Sequence, residues 1–168
     1  DLSATTDLTS FVLWNERDSP RSKQRAIGPS EVGNSCDRSI AYRIAGTKAT
    51  NIWGDPWPAI VGTAIHHWME SAIKNFQRQK GDHGWMTELA VQPDDLVRGH
   101  SDAYHIPTQT VVDWKTTNAD TIRKLKRVEP PSPSYITQIH LYCLGHERAG
   151  RPVKEVAPDG WSGVSRVW

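Results

Sequence analysis

Charge of one sign is missing from these 168 residues: 20 Lys+Arg stand against 19 Asp+Glu, and the formal net charge is +1. A uniformly basic coat of the kind that grips nucleic acid everywhere is thereby excluded, whereas a local basic patch beside an acidic one is not. Cysteine is scarce. Cys36 and Cys143 are the only two, too few for a disulfide scaffold or a four-thiolate metal site, and a reducing, cytoplasmic setting is the expectation. Long apolar runs are absent as well. The longest apolar-leaning stretch, Pro58 to Ile65, is interrupted by Gly62 and Thr63 and falls far short of the roughly 20 residues a spanning helix needs, so no membrane segment is expected. No basic-then-apolar leader opens the sequence. Gly and Pro show no excess and no tract repeats, which excludes collagenous, fibrous and disordered classes.

What is present reads as one domain. Residues 7–17 suggest a short amphipathic helix and 18–27 a charged connector broken by Pro20. Gly28-Pro29-Ser30 offers a helix start, after which Val32, Ile40, Ala41 and Ile44 recur at roughly helical spacing until Gly46. After a Trp-, Gly- and Pro-rich loop at 47–58, the apolar residues Ile60, Ala64, Trp68, Ile73 and Phe76 mark the longest helix, 59–79, with Gly81 just past its end. The period then changes. Residues 85–91, 97–106 and 110–116 look like strands, with Ile106-Pro107-Thr108-Gln109 as a turn whose Pro pre-sets the backbone. Helices are expected at 119–128 and 135–149, and one or two short strands at 151–168. The predicted architecture is α/β: a helical region at 1–57, then a core at 58–168 with a mixed central sheet flanked by helices.

Chemistry concentrates in the two strands around that turn. Residues two apart on a strand share a face, so Asp113 and Lys115 project together. A turn centred between Pro107 and Thr108 sets Asp102 opposite Asp113, and cross-strand Cβ atoms lie about 5 Å apart, near enough for two carboxylates to hold one hard cation. The plain alternative is a surface hairpin with an ion pair. Val111 and Val112 run straight into Asp113, however, placing the charges at the end of a buried strand, where an unpaired charge is costly and a cation relieves the cost.

Four elements now stand in order: Gly62-Thr-Ala-Ile-His66, Asp102, Asp113-Trp-Lys115 and Gln138-Ile-His-Leu-Tyr142. In this ordered set, over about residues 30–145, the chain resembles the PD-(D/E)xK nuclease superfamily and within it the RecB-like exonucleases, including CRISPR-associated and phage-encoded members. The resemblance implies a restriction-endonuclease-like core and a metal-dependent DNA nuclease, an exonuclease acting on DNA ends, that needs Mg²⁺ or Mn²⁺. It implies His66, Asp102, Asp113 and the backbone carbonyl of Trp114 as metal ligands, with Glu88 in the preceding strand as a further carboxylate. Lys115 would orient or deprotonate the attacking water, and Gln138 and Tyr142, four apart on one helical face, would reach the same site.

Alternative readings are a non-catalytic nucleic-acid-binding module of the same fold, a metal-dependent endonuclease, and a zinc hydrolase using His100, Asp102 or the His66-His67-Glu70 cluster; the last lacks an HExxH spacing. Arg123, Lys124, Lys126 and Arg127 follow the strand pair and, with Arg98, are candidates to track a nucleic-acid backbone, against the default of a solvated helix face. Some RecB-like relatives hold an iron–sulfur cluster, and Cys36 sits where its first ligand would be. No cysteine follows Cys143, so this chain as given cannot complete four thiolates; no cluster is expected, and Cys36 reads as a buried small side chain.

Overall fold

The computed structural model describes residues 10–12, 14, 15, 26–34, 36–48, 50, 55, 57–116 and 132–154. The predicted helix at 119–128, with its four cations, the tail beyond 154 and most of 7–25 lie outside these residues. The elements are α1 (Asp37–Ile44), α2 (Trp57–Lys80), β1 (Trp85–Val91), β2 (Gly99–His105), β3 (Thr110–Val112) and α3 (Pro133–Arg148). The class is α/β. Among the described residues the sheet is antiparallel in the order β1-β2-β3, and the parallel component expected of a mixed sheet is confined to one bridge, Ile27 to Val97.

Local chemistry accounts for the boundaries. Helix α2 ends at Lys80, where Gly81 takes φ +65°, a conformation L side chains resist. The helix expected to start near Ser30 begins only at Asp37, because the backbone from Pro29 to Gly33 is spent on turns and Gly33 takes φ +95°. The β2–β3 turn falls where predicted, Gln109 N–H donating to the Ile106 carbonyl at 3.3 Å with Gln109 at φ +57°. The pairs Ala103–Val112, Tyr104–Val111 and His105–Thr110 set the register that places Asp102 across from Asp113. The third strand is shorter than predicted: it leaves the ladder after Val112, and Lys115 lies beyond it.

The sheet is packed on both faces. On one, Met69 and Ile73 of α2 meet Trp85, Ala103, Val112 and Trp114; on the other, Tyr142, Cys143 and Ile139 of α3 meet Met86, Leu89, Val91, Tyr104 and Val111. Strict alternation does not explain these lists. Met86 and Leu89, three apart, share the α3 face, and so do Ser101 and Tyr104, both of which contact His146 of α3. Both strands therefore break period two at facing positions, and the ladder skips the Glu88–Asp102 pair while keeping its register on either side. Glu88 carries the break, at φ +49°.

Helix α3 comes so close to β1 that a Cβ at Gly145 would lie 2.7 Å from Val91 Cβ and 3.3 Å from the Gln92 nitrogen. Alanine gains about 1 kcal/mol of helix propensity over glycine, but overpacking against backbone costs about 1–3 kcal/mol, so crowding wins. Gly145→Ala should lower the thermal midpoint. Gly62→Ala is the contrast, since among the described residues its Cβ would meet only Thr116 Oγ1, at 3.6 Å; a midpoint raised by the equivalent of about 0.5–1 kcal/mol is expected.

Candidate metal centre

The broken alternation makes the site. In an unbroken strand Asp102 would share the α3 face with Tyr104; the extra step turns it towards α2, where its Oδ1 lies 3.0 Å from His66 Nδ1. Its Oδ2 accepts the Trp114 N–H at 2.5 Å, which ties the segment after β3 to β2. Glu88, at the facing position of β1, turns the same way. His66, Glu88 and Asp102 thus offer one imidazole and two carboxylates whose ligand atoms all lie within 4.8 Å of one another. A non-glycine residue held at positive φ costs about 1–3 kcal/mol and persists where the surroundings enforce it. Glu88 is held that way as the exposed member of the cluster.

The electrostatics of the cluster are those of crowded negative charge. The hydrogen bond that His66 donates to the Asp102 carboxylate raises the pKa of His66 above its usual range. Burial, then the fields of Asp102 and Glu70, raise Glu88. Glu70 lies one turn beyond His66 on α2 and is itself bound by Lys74 at 2.5 Å. His66 and Glu88 each hold a proton more firmly than they would in water, and a divalent cation answers the same excess of negative charge.

Asp113 lies beside this trio, outside its 4.8 Å circle. Its side chain keeps to the α3 side, where Gln138 Nε2 donates to Oδ1 at 3.3 Å and Lys115 Nζ lies 2.9 Å from Oδ2 and 3.2 Å from Oδ1. Burial pushes its carboxyl up to about 6, against the pull of Lys115. Asp113 lies outside the 4.8 Å cluster, yet the charges of Asp102 and His66 both act on its carboxyl, so the two carboxylates that face each other in register stay within electrostatic reach. Lys115 also lies 5.7 Å from the centroid of the Tyr135 ring, close to a cation–π contact.

Gln138 and Tyr142 are both buried, Gln138 Nε2 donating to the Tyr142 hydroxyl at 2.9 Å. They form a polar file behind Asp113 and hold its carboxylate rather than reaching into solvent. Trp114 contributes its amide to Asp102 and its ring to the core. Arg98 is exposed near the start of β2. Cys36 is exposed, not buried: it precedes α1, its own N–H bound to Asn34 Oδ1 at 3.0 Å. Cys143 is the buried thiol, pushed up to about 11 by burial. Sequence reasoning gave His100 to a zinc alternative alone, yet its charge acts on Glu88 from the next outward position of β2.

A second polar cluster, Ser101, His146 and Arg151, is not a nucleophile–base pair. Arg151 Nε–H donates to His146 Nδ1 at 2.7 Å, so the imidazole proton sits on Nε2 and is given to Ser101 Oγ, also at 2.7 Å. A histidine donating to the serine cannot take its proton.

Comparison with protein-family models, with curated proteins and with solved structures gives no match. The functional reading therefore stands on the residues. No helix among the described residues is long and apolar enough to cross a membrane.

Proposed function

We propose that the chain is a metal-dependent deoxyribonuclease, an exonuclease of restriction-endonuclease-like core, that hydrolyses phosphodiester bonds with Mg²⁺ or Mn²⁺. The observation that carries this reading is the meeting of His66 from α2, Glu88 from β1 and Asp102 from β2 within 4.8 Å, beside the Asp113–Lys115 ion pair. The ordered motifs of the sequence support it independently. Two carboxylates suit a hard divalent cation, and one imidazole tilts the preference towards Mn²⁺. The raised His66 and Glu88 protonation equilibria fit a site that lacks positive charge.

A cation held by these three residues supplies Lewis-acid stabilisation of the phosphate and a more acidic water. The chain's own groups do the rest. Lys115, with about a quarter of its side chain exposed (23%), presents an ammonium that orients water and offsets charge on the phosphate. Gln138 and Tyr142 position Asp113, which in turn fixes Lys115.

The test is incubation of end-labelled linear DNA and closed circular single strands with Mn²⁺, Mg²⁺, Zn²⁺ or chelator. Loss of linear DNA in Mn²⁺ or Mg²⁺, with circles spared, is expected. Circles cut as fast as linear strands would make the enzyme an endonuclease, and turnover supported by Zn²⁺ alone would favour a zinc hydrolase. DNA bound but intact with every metal would leave a binding module and overturn the catalytic reading.

A further inference from the structure

A solvent-facing groove of about 630 Å³ runs from the end of the β1–β2 ladder to the end of α3. Arg98, His100 and Arg148 line it, with Asp95 as the one acidic residue among the described residues that do. All three basic side chains are exposed. Among the described residues, no side-chain hydrogen bond or ion pair engages either guanidinium. The Arg98 backbone is fixed, its N–H donating to the Ile27 carbonyl at 2.9 Å, so its side chain starts from a defined place on the groove wall.

The groove opens on the α3 side of the sheet, two residues along β1 and β2 from the candidate centre, which faces α2. His100 lies two residues from Asp102 and pairs with Ala90, itself two residues from Glu88. Two strand residues span about 7 Å.

A helix C-terminus ordinarily repels anions through its free carbonyls. At α3 two of these carbonyls are occupied: Ala149 N–H and Arg151 N–H donate to His146 O and Gly150 N–H to Glu147 O, with Gly150 at φ +75° closing the turn. The charge facing the groove there is that of Arg148.

We infer that the Arg98–His100–Arg148 groove is a second phosphate subsite, holding the polynucleotide backbone next to the bond positioned at the His66–Glu88–Asp102 centre. The inference rests on the nuclease reading for its substrate and extends it to where the strand runs. Two unpaired guanidiniums suit it, because Arg matches phosphate oxygens in a bidentate fork and stays charged at every working pH. His100 adds a donor at the end nearer the centre.

Fluorescence anisotropy of a labelled oligodeoxythymidylate bound to the full chain, over a salt series and with chelator present, tests the groove without hydrolysis. Arg98→Gln/Arg148→Gln should weaken binding about tenfold or more and flatten the log–log salt slope by about 1.4, the counterion release of two single-strand phosphates. Lys80→Gln/Lys154→Gln removes the same charge from exposed positions that do not line the groove and should leave the slope near that of the wild type. Equal loss in both pairs, an unchanged slope in the arginine pair, or no binding by the wild type would overturn the subsite. A separate arm judges the nuclease reading: Mn²⁺ titration of the arginine pair should match the wild type, and hydrolysis is scored on wild type alone. Hydrolysis with an unaltered arginine slope removes the groove and keeps the enzyme; a flattened slope without hydrolysis keeps the phosphate subsite and removes the enzyme.

Discussion

Asp102→Asn is expected to lower Mn²⁺-supported hydrolysis by about a thousandfold, several kcal/mol of transition-state stabilisation, and to weaken Mn²⁺ binding in the same protein. Asparagine keeps the shape and an oxygen to accept the Trp114 N–H, so the fold should survive and the lost charge is what is measured. Glu88→Gln should weaken Mn²⁺ binding comparably, since Glu88 shares the 4.8 Å cluster with Asp102 and His66. Lys115→Ala should behave differently. Its ammonium touches Asp113 and not the trio, so turnover falls while Mn²⁺ affinity is retained. Calorimetric titration of the three variants with Mn²⁺, alongside single-turnover cleavage, separates the roles. Unchanged Mn²⁺ affinity in both Asp102→Asn and Glu88→Gln would remove the assigned centre.

Much of the scaffold for that centre was legible because it follows from local rules. Pro107 in a four-residue turn set the β2–β3 register, and with it the positions of Asp102 and Asp113 across the hairpin. Apolar spacing and Gly81 set the long helix that carries His66. The break in alternation was not legible. Period-two reasoning assigns faces by counting, and nothing in Thr-Glu-Leu announces that Glu88 takes a left-handed backbone. Counting therefore set Asp102 opposite Asp113 and gave Glu88 no face, so that Glu88 entered only through the resemblance; the folded strands gather Glu88, Asp102 and His66, while Asp113, still in the field of Asp102, accepts from Gln138. The misread Cys36 has the same origin: its exposure follows from where α1 begins, which tertiary turns at 29–33 decide.

Two groups shielded from water pull in opposite directions as acid is added, beside His66 and Glu88, whose raised pKa values add to the stabilising side. His146 is fully buried, and desolvation with the nearby Arg151 charge lowers it from 6.5 to about 4. The unfolded chain then binds the proton that the folded chain refuses, so its contribution is complete above pH 6.5 and is lost as pH falls towards 4, by up to about 3 kcal/mol. Asp113 works the other way: burial raises it from 3.8 to about 6, the folded chain takes up the proton first, and stability is recovered as pH falls through that window. Urea unfolding at pH 7.5 and 4.5 should therefore show a modest change in the wild type. His146→Gln removes the acid-sensitive group and should change in the stabilising direction on acidification relative to wild type, even though the loss of its bonds to Ser101 and Arg151 lowers its stability at pH 7.5. Asp113→Asn removes the compensating group and should lose more stability than wild type between the same two pH values. The pair is read as a difference of differences, so a general weakening of either variant cancels. Parallel lines for all three proteins would show that neither group changes its protonation on folding, and a His146→Gln line falling more steeply than wild type would reverse the assigned sign at that histidine.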